Sequence, residues 1–131
     1  MASVRILLAD DNDEVLAEIR EDLGQEFEII GTVSNGQDAV DAAFRFDPDV
    51  VVLDITMPIM DGMRAAARIR ERNARSRILF LTILETEEYI SAAFAAGASG
   101  YVTKRRLLSD LAHAIREIAE GRTFLSPTLR R

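Results

Sequence analysis

Val50-Val51-Val52-Leu53-Asp54-Ile55-Thr56-Met57-Pro58 is the stretch on which the reading of the chain turns. Four branched apolar residues run straight into one aspartate, and a loop with Met57 and Pro58 follows at once. The run is too short and too uniformly apolar for an amphipathic helix. It reads as a strand buried on both faces, as at the centre of a parallel sheet. Asp54 then falls where the strand ends. In open α/β sheets the ligand crevice lies outside the carboxyl ends of the strands.

Outward from this strand, apolar runs and helical periods alternate. Val4 to Ala9 is a second buried strand, and it ends in Asp10-Asp11. Asn12 is placed to cap the helix carrying Leu16, Ile19 and Leu23 on one face, with Gly24 as its stop. Phe27 to Val33 reads as an edge strand, Ser34-Asn35-Gly36 as a turn, and Ala39, Val40, Ala43 and Phe44 as a helix closed before Pro48. Beyond the opening strand, a small-residue helix is expected over 62–72 and a strand over 77–82, ending in Thr82. Thr86 is placed to cap a fourth helix with Glu87 and Glu88 in its first turn. Ser99 to Val102 makes a fifth strand ending at Thr103-Lys104. The last helix has the cleanest period, with Leu111, Ala114, Ile115 and Ile118 at i, i+3, i+4 and i+7. Five strands alternating with five helices predict one doubly wound α/β domain with a parallel sheet and right-handed crossovers. Residues 1–121 form that domain in this reading, and 122–131 read as a linker or tail.

Length and composition fit one globular domain: 131 residues, 48% hydrophobic and 29% charged. The formal net charge of −6 argues against direct nucleic-acid binding by this chain, which needs a basic face. The absence of Cys rules out thiol chemistry and suits a reducing compartment, so the expected location is cytoplasmic. No apolar run reaches the roughly 20 residues of a membrane span. The 16 basic residues are 15 Arg and a single Lys, Lys104.

On this fold Asp10, Asp11, Asp54, Thr82 and Lys104 all stand at strand ends facing one crevice. Two like charges about 4 Å apart repel by roughly 4 kcal/mol at an effective dielectric near 20. A hard divalent cation is the economical reason to cluster three carboxylates, because Mg²⁺ takes oxygen ligands. A hydroxyl and an ammonium beside them suit a phosphoryl group. Asp54 is the candidate nucleophile, since carboxylates form aspartyl-phosphates. A sole lysine at this strand end, in a chain that otherwise uses arginine, strengthens the pattern.

The combination of Leu7-Leu8-Ala9-Asp10-Asp11, Val51 to Pro58 with Met60-Asp61-Gly62, Leu81-Thr82, and Ala96 to Lys104 resembles the receiver domain of two-component response regulators. The resemblance covers residues 4 to about 121 and is specific because the motifs occur together. It implies a five-stranded flavodoxin-like (βα)5 fold with strand order 2-1-3-4-5. It implies that Asp54 accepts a phosphoryl group from a sensor histidine kinase or a small phosphodonor. Mg²⁺ (or Mn²⁺) is then held by Asp11, Asp54 and the Thr56 carbonyl, with Asp10 helping through water, while Thr82 and Lys104 hold the phosphoryl group. Tyr101 moves with Thr82 in the switch. The implied role is a phospho-switch rather than a metabolic enzyme, with self-catalysed phosphotransfer and autodephosphorylation only, and no further cofactor. Gly97 to Tyr101 and Gly121 to Pro127 are similar to regulators of the NarL/LuxR type. These control transcription through a C-terminal helix-turn-helix domain, and no such domain is expected within residues 1–131. The face made by the fourth helix, fifth strand and fifth helix, with Tyr89, Arg105, Arg106 and Asp110, is the expected output surface or phosphorylation-dependent homodimer face.

Two positions depart from the family pattern. Ile83 follows Thr82 where a small residue is usual, and its bulky side chain is expected either to narrow access to Asp54 or to restrict Tyr101 in the switch. Arg105 follows Lys104 where many receivers have Pro, and without Pro a trans bond is expected. Each site residue also has a plainer reading. Asp10-Asp11 alone suits a helix N-terminus, Thr82 a buried strand position, Lys104 a solvated cation and Tyr101 a core aromatic. His113 lies opposite the apolar face of the last helix and reads as a solvated side chain. Three functional alternatives stand beside the phospho-switch. A phosphatase of the haloacid-dehalogenase kind needs Asp-x-Asp-x-Thr after its first strand, whereas Asp10-Asp11-Asn12-Asp13 is followed by no Thr. A flavodoxin-like module needs Ser, Thr or Gly where this chain has carboxylates. The third is an atypical receiver, gated by Ile83, that acts with little phosphorylation.

Overall fold

A computed structural model describes residues 3–72 and 75–130. In chain order the elements are β1 (Arg5–Ala9), α1 (Asp13–Leu23), β2 (Glu28–Val33), α2 (Gly36–Phe46), β3 (Val50–Leu53), α3 (Gly62–Arg72), β4 (Arg77–Thr82), α4 (Glu87–Ala95), β5 (Gly100–Thr103), a 3₁₀ turn (Lys104–Arg106), α5 (Leu107–Ala119), β6 (Phe124–Leu125) and a second 3₁₀ turn (Pro127–Leu129). All strand pairs are parallel. The sheet order is β2-β1-β3-β4-β5-β6.

The expected 2-1-3-4-5 order therefore holds for the first five strands, and a sixth extends it. Phe124 pairs with Gly100 and Leu125 with Tyr101. The Phe124 and Ser126 amides donate to the Ser99 and Tyr101 carbonyls, each at 3.0 Å. An outer edge on β5 would leave a row of unpaired backbone groups. Residues 124–129, read from sequence as part of a linker or tail, instead lie against that edge. The segment is too short to show a period, which is why sequence patterning misses it.

The central strands read as near-continuous apolar runs, yet each one alternates between two cores. Leu7, Ala9, Val51, Leu53, Ile78, Phe80 and Tyr101 face α2, α3 and α4. Ile6, Leu8, Val50, Val52, Leu79, Leu81 and Val102 face α1 and α5. Val50, Val51 and Leu53 are fully buried, and burial of each such side chain contributes about 1.5–3 kcal/mol. The expected face of α5 is borne out: Leu111, Ala114, Ile115 and Ile118 are all fully buried.

Local signals set the helix starts unevenly. The Asn12 side chain accepts from the Glu14 and Val15 amides, as expected of an N-cap. Asn35 does the same for α2, accepting from Asp38 at 2.8 Å. Thr86 occupies the N-cap position of α4, but its hydroxyl makes no capping bond, so the expected cap is absent. Asp110, expected on the output face, is 4% exposed. Its carboxylate accepts from Arg106 at 3.3 Å. His113 is exposed as expected, beside Phe124. No peptide bond is cis among the described residues, including that between Lys104 and Arg105.

Candidate phosphoryl and metal site

Strand register builds the site. Ala9 pairs with Leu53, so Asp10 and Asp54 leave adjacent strands at the same level. The Asp54 amide donates to the Ala9 carbonyl at 3.0 Å and locks that alignment. Leu53 pairs with Phe80 and Thr82 with Thr103. Thr82 and Lys104 therefore reach the same rim from β4 and β5.

Three of the expected residues meet in one bonded cluster. Lys104 Nζ lies 2.8 Å from Asp10 Oδ2 and 2.8 Å from Asp54 Oδ2. The other Asp54 oxygen accepts from the Ile55 amide at 2.7 Å. The other Asp10 oxygen accepts from the Asn12 amide at 2.9 Å. Asp10 and Asp54 are buried, whereas Asp11 is exposed. One carboxylate oxygen from each of Asp10, Asp11 and Asp54 lies within 4.8 Å of the others. This is a hard oxygen donor set whose repulsion a single ammonium only partly offsets, and it fits a divalent cation. Thr56 is exposed in the loop beyond Asp54.

The electrostatics follow from burial against pairing. Burial pushes the Asp10 carboxyl up, the hydrogen bonds from Lys104 and Asn12 and the Lys104 charge pull it down, and the nearby Asp54 charge adds to the rise. Its pKa ends above the ordinary value of 3.8. Burial also opposes the Lys104 ammonium, but its hydrogen bonds to Asp10 and Asp54, with their charges, outweigh that. Its pKa ends above 10.5.

The backbone around Asp54 is closely packed. The Gly62 amide donates to the Ile55 carbonyl at 2.7 Å. A Cβ on Gly62 would lie 1.9 Å from the Asp54 carbonyl oxygen, so glycine is required there. Between them Ile59 has φ of 71° and is 80% exposed, a strained conformation for a β-branched residue.

Thr82 is fully buried, and its Oγ1 accepts from the Leu84 amide at 3.3 Å. That bond leaves the hydroxyl hydrogen free to donate. Ile83 is turned to solvent, 72% exposed. Tyr101 is fully buried, and its phenol donates to the Leu84 carbonyl at 2.7 Å. Burial first, then the charges of Asp54 and Glu85, push that phenol up to about 12, so it remains a donor. Sequence reasoning missed Glu85, Thr103 and Ser126. Thr103 and Ser126 are both fully buried. The Thr103 hydroxyl donates to Glu85 and its amide to Ser126 Oγ. A buried polar residue in a strand looks like any β-branched filler, and Glu85 like one more acid before a helix.

Comparison with known proteins finds a matching family and similar structures. The family described as response regulator receiver domain matches residues 6–116. The chemotaxis protein CheY of Halobacterium salinarum is 42% identical over 100 residues, spanning 76% of this chain and 83% of that protein. YvfU of Bacillus subtilis, described as an uncharacterized transcriptional regulatory protein, is 33% identical over 96% of this chain and 64% of its own length. The nitrate/nitrite response regulator NarL of Escherichia coli K12 is 31% identical over 95% of this chain and 58% of its own length. The chain thus spans about three-fifths of the length of those two regulators. Among solved structures, a LuxR-family two-component response regulator from Aurantimonas sp. SI85-9A1 superposes with a TM-score of 0.93. It is 32% identical, over 98% of this chain and 93% of that one. The signal receiver domain of a NarL-like regulator from Mycobacterium tuberculosis gives 0.89 at 26% identity, over 93% of this chain and all of that one.

Proposed function

Because the chain belongs to the response regulator receiver domain family, we propose that its Asp54 accepts a phosphoryl group and that the chain works as a phospho-switch. One observation carries this reading: Lys104 Nζ bridges Asp10 and Asp54 at the strand ends, 2.8 Å from each. In the reaction an Asp54 carboxylate oxygen bonds to phosphorus as the bond to the donor's leaving atom breaks, giving an acyl phosphate. The donor is a sensor histidine kinase or a small phosphorylated metabolite. The Lys104 ammonium shifts from bridging carboxylates to pairing with a phosphoryl oxygen, and the free Thr82 hydroxyl hydrogen donates to another. Asp10, Asp11, Asp54 and the Thr56 carbonyl would hold Mg²⁺ or Mn²⁺, which supplies positive charge against the carboxylates and the added anion. The chain then acts once on itself, by phosphotransfer and autodephosphorylation, and turns over no separate substrate.

Phosphorylation draws on Thr82 and Tyr101, with Ile83 at the hinge between them. The output face runs over α4, β5 and α5, where it promotes a phosphorylation-dependent homodimer. Because β6 lies on β5, residues 124–129 form part of that face. Longer relatives that are named transcriptional regulators support a role in transcription through a helix-turn-helix domain in a longer chain. No helix among the described residues is long and apolar enough to cross a membrane, and a cytoplasmic location fits a kinase-fed switch. Acetyl phosphate with Mg²⁺ is expected to label the wild type and leave Asp54→Asn unlabelled. Equal labelling of both would overturn the assignment, and sustained release of phosphate from generic esters would favour a phosphatase.

A further inference from the structure

Between β4 and α4 the chain passes through Ile83, Leu84, Glu85 and Thr86, and side chains from one strand end grip it at two points. The Tyr101 phenol holds the Leu84 carbonyl. One residue on, Glu85 Oε2 accepts from Thr103 Oγ1 at 2.5 Å and from Arg105 Nε at 2.7 Å. Glu85 Oε1 accepts from Arg105 Nη2 at 3.2 Å, so the guanidinium engages both oxygens. Hydrogen bonds to a charged acceptor in this fork geometry are among the stronger ones proteins make. Arg105 first and Thr103 second hold the Glu85 carboxyl below the ordinary carboxylate range.

The placement of these groups is informative. Thr103 and Arg105 flank Lys104, which reaches the opposite way to Asp10 and Asp54. Three consecutive residues thus tie the acidic site to the loop that follows Thr82, whose Leu84 amide donates to the Thr82 hydroxyl. Thr103 itself cannot drift, because its amide donates to Ser126 Oγ on the segment after β6. The loop held this way keeps Tyr101 inward and leaves Thr82 a free donor.

We infer that Glu85, clasped by Thr103 and Arg105, is a positioning residue that holds the β4–α4 loop in the conformation that receives the phosphoryl group. The inference rests on the phosphoacceptor reading of Asp54. It also gives Arg105, which stands where many receivers have proline, a specific task. Linkage requires that a contact favouring the ligand-bound loop conformation also tighten ligand binding.

Beryllofluoride with Mg²⁺ is the probe, titrated into the full chain and followed by tyrosine fluorescence, since the chain has two Tyr and no Trp. Thr103→Val removes the hydroxyl without changing charge or shape, and Glu85→Ala removes the clasped carboxylate. Both are expected to raise the beryllofluoride midpoint at least about fivefold. Simple electrostatics predicts the opposite for Glu85→Ala, because losing a nearby negative charge would favour the anion. Arg105→Ala, altered at a half-exposed side chain, carries the test if a buried change disturbs folding. A wild-type response with variant midpoints unchanged or lowered would overturn the latch alone. Absence of any wild-type response would remove the phosphoacceptor reading and the latch with it.

Discussion

Lys104 holds together two buried carboxylates whose like charges would otherwise repel each other. Its removal leaves both without their shared partner. Lys104→Met is therefore expected to lower stability by about 1–3 kcal/mol in metal-free urea unfolding at neutral pH, below the cost of breaking a fully buried pair because the ammonium keeps some solvent access. Added Mg²⁺ should stabilise the variant more than the wild type. The pH dependence has a definite sign. The Lys104 pKa is raised in the fold, so its contribution is fully present below its ordinary value of 10.5 and lost as pH rises through the higher folded value. The Asp10 pKa is raised too, so stability is gained as pH falls through its folded value toward 3.8. The wild type should thus lose stability at alkaline pH more steeply than Lys104→Met, as urea midpoints across pH 9–12 would show. Asp10, Asp11, Asp54 and Lys104 were legible in the sequence because each follows an apolar run closely. Glu85 and Thr103 were not, because their pairing depends on the register that sets Thr82 opposite Thr103.

At the scale of elements, the loops at the strand ends carry the constraints. The loop from β3 to α3 folds back until the Gly62 α-carbon meets the Asp54 carbonyl. Gly62→Ala places a methyl group where an oxygen already lies 1.9 Å away. Relief requires moving the backbone of Asp54, so the expected loss is about 3 kcal/mol, at the upper end for overpacking. Ile59 offers the converse. Its left-handed φ of 71° has no compensating burial, so Ile59→Gly should stabilise by about 0.5–1 kcal/mol after glycine's own entropy cost. Chemical unfolding of the two variants beside the wild type checks both signs. The helices and the first five strands were legible from period and capping residues. Thr86 shows where such signals mislead, since a residue with capping chemistry in the capping position makes no capping bond.

For the molecule as a whole, residues 124–129 alter the boundary drawn from sequence. Phe124 is 6% exposed and packs into the core under α5, while Leu125 and Leu129 lie against the opposite core. A chain cut after Gly121 is expected to be less stable by about 2–4 kcal/mol, from lost apolar burial and the hydrogen bonds to Ser99 and Tyr101. Urea unfolding of the cut and full chains measures it, and equal stability would mean that this segment adds nothing to the fold. The five-stranded plan was legible because apolar runs alternate with periodic helices, whereas the two-residue β6 exists only through pairing with β5. Of the carboxylates at the rim of the sheet, Asp54 is the one proposed to take the phosphoryl group. The most direct measurement treats the protein with acetyl phosphate and Mg²⁺, reduces it with borohydride, which turns an aspartyl phosphate into homoserine, and maps the product by peptide mass spectrometry. Homoserine at position 54 alone is the predicted result. Homoserine at position 10 or 11 instead, or at none, would contradict it.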